Sequence, residues 1–474
     1  MTIKIIDRFP LLALSVTLLT LGACRVGRNY ERPSVDLPAQ FAGVPTGDTL
    51  SIAETGWKQF FTDPALQQLI DSALKGNYDL RAAMTRIDAS GQLVKQAKAA
   101  FLPTVNAQIG ASTNVYGSNT LNGLSYNAFL GVDHLEDYNV EVNASWQADI
   151  WGKLRRQKEA ALDQYLQSYE AARAVQTTLI ADVAEGYYNL LMLDAQLGIA
   201  RRNLALGDSI LRMTELQKTS GDVTQLAVEQ ADVQKQAAAL LVPQLEESIQ
   251  IQENGLRILT GALPGTVERQ ADIDNIPVPE QLSAGLPASL VSRRPDVRAT
   301  ELALMAANAQ VGAAKANMYP MLNITAGGGL DAFKASNWFS IPNSLFGLVG
   351  GTILQPVLQG RQLKTQYEEA KIAREQAVIS FRQSVLNAVG EVSDALVMQE
   401  KLKEQEQIAE GRLATLEKAI GHAQLLFRSG LANYLEVITA QGNLLQSQLD
   451  YANIRRERLS SVVELYRSLG GGTK

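Results

Sequence analysis

The chain of 474 residues holds one cysteine, two histidines and only 6% aromatic side chains. The single cysteine, Cys24, permits no intramolecular disulfide and no tetrahedral thiolate metal centre. His134 and His422 stand in non-equivalent places, one in a loop and one on a helical stretch, so neither joins a Ser-His-acid triad. Carboxylates are plentiful, yet no pair stands in a catalytic motif; the expectation is no catalytic residue, no metal site and no enzyme. Met318 and Met321 form a lone Met-x-x-Met pair across Pro320 with no histidine or cysteine beside it, which reads as apolar packing. A formal charge of -6 gives no electrostatic case for nucleic acid. Beyond the first residues there is no apolar run of the roughly 18 residues that would cross a bilayer as a helix. A membrane crossing would have to be made by strands.

What the sequence does have is a second copy of itself. Arg81-Ala82-Ala83, Lys98-Ala99 and Pro103 recur as Arg298-Ala299-Thr300, Lys315-Ala316 and Pro320, each shifted by 217 positions. In the same order, Ile150-Trp151-Gly152-Lys153 is echoed by Leu358-Gln359-Gly360-Arg361, and Ser220-Gly221 by Ser429-Gly430. A unit of about 200 residues exceeds any solenoid period, so this is a duplicated elongated domain, each copy reading as helix, two strands and a very long helical stretch.

The N-terminus carries an address. Lys4 and Arg8 precede an apolar run from Leu11 to Leu21, and Leu21-Gly22-Ala23-Cys24 ends it with small residues before a cysteine. This resembles a bacterial lipoprotein signal, which implies a diacylglycerol and an N-acyl chain on Cys24 and removal of residues 1–23. Two or more acyl chains anchor durably, at roughly 0.8 kcal/mol per buried methylene. Removal of Lys4, Asp7 and Arg8 would take the charge from -6 to -7. Arg25 stands where an aspartate would favour inner-membrane retention, so an outer-membrane lipoprotein is expected.

Strands of about 10 residues are predicted near 103–115, 136–149, 320–331 and 344–356, where apolar and polar side chains alternate. Four strands close no useful barrel, whereas three chains would supply twelve. Residues 152–219 contain no proline, and 222–259 resume with only Pro243 and Gly255 as breakers. The recurrence of Leu179, Val183, Leu190, Leu193, Leu197, Leu204 and Ile210 predicts coiled-coil packing along a rod. Ser220-Gly221-Asp222 and Ser429-Gly430-Leu431 interrupt these stretches, glycine ending one helix and Ser or Asp capping the next, so each unit becomes a tall hairpin with a tight tip.

Taken together, Cys24, Val26-Gly27-Arg28-Asn29-Tyr30-Glu31-Arg32-Pro33, Trp57-Lys58-Gln59-Phe60-Phe61-Thr62-Asp63-Pro64-Ala65-Leu66, Arg293-Arg294-Pro295-Asp296-Val297-Arg298, Gln355-Pro356-Val357-Leu358, Gly430-Leu431-Ala432-Asn433-Tyr434 and the terminal Leu465-Tyr466-Arg467-Ser468-Leu469-Gly470 carry a resemblance. The ordered set resembles the outer membrane factor family of tripartite efflux systems, in its lipoprotein branch similar to drug-efflux channels. Arg28 departs from the usual proline, and Ala432 from an aspartate found in some relatives.

The resemblance implies a mixed α/β membrane protein, a trimeric 12-stranded outer-membrane β-barrel continuous with a long periplasmic coiled-coil barrel. It implies passive export of small molecules to the exterior, with a periplasmic adaptor and an inner-membrane transporter as partners, outer-membrane lipid around the channel and no cofactor beyond the lipid on Cys24. The expected division is a signal at 1–23, an N-terminal extended segment at 24–62, a first repeat at 63–260, a linker at 261–286, a second repeat at 287–468 and a tail at 469–474. Adaptor docking is expected at Ser220, Gly221, Asp222, Ser429, Gly430 and Leu431, and ionic links gating the aperture at Arg412, Arg428, Asp222 and Glu436. Alternatives are a type I protein secretion duct, a heavy-metal export duct, and an anchored rod or adhesin.

Overall fold

The computed structural model of the chain describes residues 26–38, 40–41, 51–279 and 284–473, so Cys24 and the expected signal lie outside the described residues. The main elements are α1 (Pro64–Gly76), α2 (Tyr78–Ala99), β1 (Thr104–Val115), α3 (Leu121–Leu130), β2 (His134–Ala148), α4 (Lys153–Thr219), α5 (Gln225–Leu259), α6 (Pro287–Arg293), α7 (Pro295–Ala316), β3 (Met321–Ala332), β4 (Leu345–Leu354), α8 (Gln362–Arg428) and α9 (Tyr434–Ser468). The duplication reappears in their lengths. Helices α2 and α7 have 22 residues each and strands β1 and β3 have 12, displaced by 217 positions (78 to 295, 104 to 321). Helices α4 and α8 have 67 residues each and α5 and α9 have 35, displaced by 209 (153 to 362, 225 to 434). Pro243 sits inside α5 without ending it.

The chain forms two compact units, one of residues 26–33, 88–166 and 301–379, the other of the remaining described residues. The first contains one antiparallel sheet in the order β1-β2-β3-β4. Pairings such as Ile109↔Val140, Val140↔Leu330 and Leu330↔Leu345 align apolar positions of the four strands on one face, whereas Phe346 and Leu348 of β4 fall on the opposite one. Asn106, Glu141, Asn143, Asn323 and Thr325 share the other face. Alternation at period two dictates this division.

The expected mixed α/β architecture with a twelve-stranded closed barrel is corrected. Among the described residues the fold is mostly helical, its sheet has four strands, and β1 and β4 are open edges. An open edge presents unpaired N–H and C=O groups that lipid cannot satisfy, so the reading of these strands as transmembrane is withdrawn with the barrel. Alternation fixes the two faces of a sheet and carries no information about closure. No helix among the described residues is long and apolar enough to cross a membrane.

Residues 26–33 lie in the first unit as an extended strap held by two buried charges. The Arg156 side chain is fully buried, and its Nη2 donates to Gly27 O at 3.2 Å, Arg28 O at 3.1 Å and Asn29 Oδ1 at 3.2 Å. Its Nη1 donates to Glu159 at 2.9 Å. Glu301, 1% exposed, accepts from Tyr30 Oη at 3.0 Å and from Arg32 at 2.6 and 3.0 Å. Burial and the neighbouring Glu301 carboxylate push the Tyr30 hydroxyl pKa up, keeping it a donor.

The second unit has its main core where α1, α4 and α9 meet, with Leu66, Ile70, Val183, Tyr187, Leu459 and Val463 buried together. Each fully buried aliphatic side chain there contributes about 1.5–3 kcal/mol. Phe60 stacks on Tyr466 at 4.0 Å between ring centroids, and Tyr466 Oη donates to Thr55 O at 2.8 Å, which docks the segment before α1 onto the end of α9.

Both copies close their long helices in the same way. Gly261, at φ +70°, ends α5, its N–H bonding Ile258 O at 2.9 Å while Ala262 N–H reaches Arg257 O at 3.0 Å. Asn77 Nδ2 then donates to Leu259 O at 3.0 Å. In the second copy Gly470, at φ +85°, ends α9 and Arg294 Nη1 donates to Ser468 O at 3.0 Å. Asn77 and Arg294 are duplicates of one position, and so are Leu259 and Ser468. Side-chain donors satisfy carbonyls that the helix itself leaves without partners.

Candidate functional site

The two helical turns that join α4 to α5 and α8 to α9 share one hydrogen-bond pattern. At the first, Gly221 has φ +86°, Gly221 N–H bonds Lys218 O at 2.9 Å and Asp222 N–H bonds Gln217 O at 2.9 Å. At the second, Gly430 has φ +72°, with bonds to Phe427 O at 3.1 Å and from Leu431 N–H to Leu426 O at 2.9 Å. Only glycine enters this left-handed state without strain, and the pair of bonds is the Schellman closure of a helix. The cap of the following helix differs from expectation. Ser220 and Ser429 hydroxyls bond back to Leu216 O and Leu425 O, and neither Ser nor Asp caps the next helix. Asn433 caps α9 through Leu435 N–H at 2.9 Å and Glu436 N–H at 3.3 Å, whereas Thr224 precedes α5 without a side-chain bond. Asn433→Ala should therefore cost about 1 kcal/mol and speed amide exchange at the start of α9, while Thr224→Ala leaves α5 unchanged. Hydrogen exchange by mass spectrometry on the two variants reads this directly.

Behind the tips the two hairpins share an apolar cluster of Ile210, Leu211, Ala231, Ile420, Phe427, Val437 and Leu444, to which all four long helices contribute. Asn203 Nδ2 reaches Gln448 Oε1 at 3.1 Å and Gln441 Nε2 reaches Asn203 O at 3.4 Å, joining α4 to α9. Charged ties run within each hairpin. In the first, Asp208 accepts from Lys235 and Arg212 at 2.7 Å each, and Arg201 pairs with Glu246 at 2.7 Å. In the second, Arg412 Nη2 donates to Asp450 at 2.6 Å and its Nε to Ser447 Oγ at 3.0 Å. Lys235 foremost holds the Asp208 carboxyl below its ordinary range. Burial raises the Asp450 pKa, but the bonds from Arg412 and Gln446 outweigh it and leave that carboxyl lowered.

The four residues singled out as gate links are thus placed differently. Arg412 is tied to Asp450 inside its own hairpin. Arg428, Asp222 and Glu436 are exposed around the tips, and among the described residues their side chains have no hydrogen bond or ion pair. Leu216, Leu226, Leu425, Leu431 and Leu435 are exposed around the same turns, Leu431 by 77%. Sequence reasoning passed over Asp208, Lys235 and Asp450, although a signal existed. In a helical hairpin, residues equally far from the turn face each other, and Arg412 and Asp450 each stand 19 positions from Leu431.

His134 pairs with Asp133 at 2.9 Å on an exposed strand end, and His422 is exposed on α8. Met318 is 38% exposed just ahead of β3, which begins at Met321. Among the described residues no group of three or more His, Cys, Asp or Glu is arranged to hold a metal.

Against known proteins, residues 69–262 and 286–471 match the family described as outer membrane efflux protein. The antibiotic efflux pump outer membrane protein ArpC of Pseudomonas putida is 31% identical, over 98% of this chain and 95% of its own length. The cation efflux system protein CusC of an Escherichia coli O6:H1 strain is 29% identical, over 96% of this chain and 97% of its own length. Among solved structures, the outer-membrane channel OprN superposes with a TM-score of 0.85 at 26% identity, covering 95% of this chain and all of that one.

Proposed function

The chain belongs to the outer membrane efflux protein family, and we propose that it serves there as a lipid-anchored, homotrimeric exit duct docked at its helical tips by a periplasmic adaptor. Its function is that of the outer-membrane channel component of a tripartite efflux system that conducts small molecules, which is a passive and non-enzymatic task. The observation that carries this reading is the match of both copies, in order, along nearly the whole chain. Three copies and an inner-membrane transporter complete the proposed assembly, with drugs or other toxic organic compounds as cargo. Acylation of Cys24 would place the chain in the lipoprotein branch and hold it at the outer membrane.

The tips support the docking part of the proposal. Exposed leucines clustered around two glycine turns cost free energy in water and favour a protein partner. Arg428, Asp222 and Glu436, without partners among the described residues, are available for links between hairpins of neighbouring copies that narrow the aperture. Neutralising Arg428 should then open a low-conductance state. Single-channel recording of purified, lipidated trimers is the test, with mass spectrometry establishing both the trimer and two kinds of acyl chain on Cys24. Well-folded trimers that fail to conduct, tip variants included, would favour an anchored rod instead.

A further inference from the structure

Residues 261–279 leave the end of α5 and run over the second unit, where two arginines fasten them. Arg269, within the segment, pairs with Asp194 on α4, with one bond at 3.0 Å, and with Glu253 on α5 at 2.5 Å. Glu253 is 6% exposed at its side chain and also accepts from Val267 N–H at 3.2 Å. The second fastening comes from the other hairpin. Arg455 on α9 donates to Ile276 O at 2.6 Å, Asp274 O at 3.3 Å and Ile273 O at 3.4 Å. The same guanidinium holds Glu406 on α8 at 2.8 Å, a carboxylate only 9% exposed that Arg458 also pairs.

The segment is therefore bonded to the first hairpin through its own arginine and to the second through that hairpin's arginine. Ile273 lies four positions after Arg269, a reach of at most about 14 Å. Beneath this short tie lies a polar cavity of about 440 Å³ lined in part by Asp194, Arg202, Asp272, Asp274, Glu417 and Tyr451. The duplicate of Arg455 in the first hairpin is Glu246, whose tie to Arg201 is 50% and 60% exposed. An exposed pair contributes little, whereas a buried one resists separation far more. The stronger tie occurs where the linker is fastened.

We infer that residues 261–279 are a tether limiting how far the two helical hairpins separate, with Arg269 and Arg455 as its fastenings. Within the duct reading given above, on which its functional meaning rests, the tether sets the resting width between the tips. Neither arginine touches cargo; both are positioning residues.

The test uses the full chain carrying bio-orthogonal spin labels at positions 219 and 429, with pulsed dipolar spectroscopy reading the separation of the two tips. Arg455→Gln leaves Glu406 paired with Arg458, so the hairpin keeps its internal partner. It should shift the separation to longer values and raise amide exchange over 270–277. Arg269→Gln should do the same from the other fastening, and keeps the test decisive if the first variant folds poorly. Arg455→Lys retains the cation for Glu406 but cannot reach three carbonyls, and should fall between. A purely local structural role would raise exchange over 270–277 without moving the tips, and that result overturns the tether. Conductance separates the two readings. Trimers that never conduct although their tips part in the variants defeat the duct and leave the tether standing. Conducting trimers whose tips stay in place in both glutamine variants defeat the tether alone.

Discussion

Arg156→Ala should free residues 26–33 from the sheet-bearing unit and lower its stability by about 4 kcal/mol. The side chain is wholly buried and donates to two backbone carbonyls and an amide oxygen of the strap. Hydrogen bonds from a charged donor are worth about 1.5–3 kcal/mol each, and the acceptors left behind keep their desolvation cost. Removal of so long a side chain also opens a cavity, which adds to the loss. Trypsin acting on purified protein gives a sharp readout, because the Arg28–Asn29 bond lies inside the strap. The parent protein should resist cleavage there, the variant should be cut within the digestion time, and mass spectrometry should find the new ends. Glu301→Gln keeps the shape and one acceptor for Tyr30 while dropping the charge opposite Arg32, so about half the effect is expected. A variant at Arg156 as resistant as its parent would mean that the strap is held by something else.

The second large effect is expected at Gly261. A Cβ there would stand 2.2 Å from Gly76 O, and the φ of +70° is one that side chains with a Cβ reach only under strain. About 1–2 kcal/mol of left-handed strain and about 1–3 kcal/mol of overpacking combine in Gly261→Ala. Gly76→Ala meets Thr260 O at 2.1 Å without the φ penalty, so it should cost only the overpacking. Gly470→Ala meets Arg293 O at 3.1 Å at a φ of +85°, so it should cost chiefly the strain. Denaturant midpoints of the three variants should fall in that order below the parent, with Gly261→Ala lowest. Equal losses at Gly261 and Gly470 would show that the contact with Gly76 relaxes freely.

Much of this architecture is legible in the residues themselves. A tandem copy fixes most element lengths twice over, and the proline-free stretches after Gly152 and Gly360 announce the 67-residue helices. Glycine at 221 and 430 marks the turns because few other residues accept their backbone state. Charged pairing was harder to read, since proximity in sequence to a tip says nothing of what a side chain faces. Counting outward from each turn brings Arg412 to Asp450 and Glu406 near Arg455, and the fastening of the linker by Arg455 has no such regularity to betray it. The closed barrel failed as an expectation for another reason. Alternation in 104–115 or 321–332 tells a strand which side is apolar, whereas closure depends on what meets its outer edge, and no residue pattern within the strand encodes that.

The matched helix ends at Leu259 and Ser468 have a consequence for how the two halves could have diverged after duplication. Each half has one helix end and one side-chain donor for its last carbonyl, at corresponding positions of the two copies. In one half the donor is now an asparagine and in the other an arginine, side chains with different charge, length and codon families. The residue differs between the halves while an N–H still reaches the corresponding oxygen. What the two halves share is the position of a hydrogen bond, and a comparison of them by residue identity would pass over it.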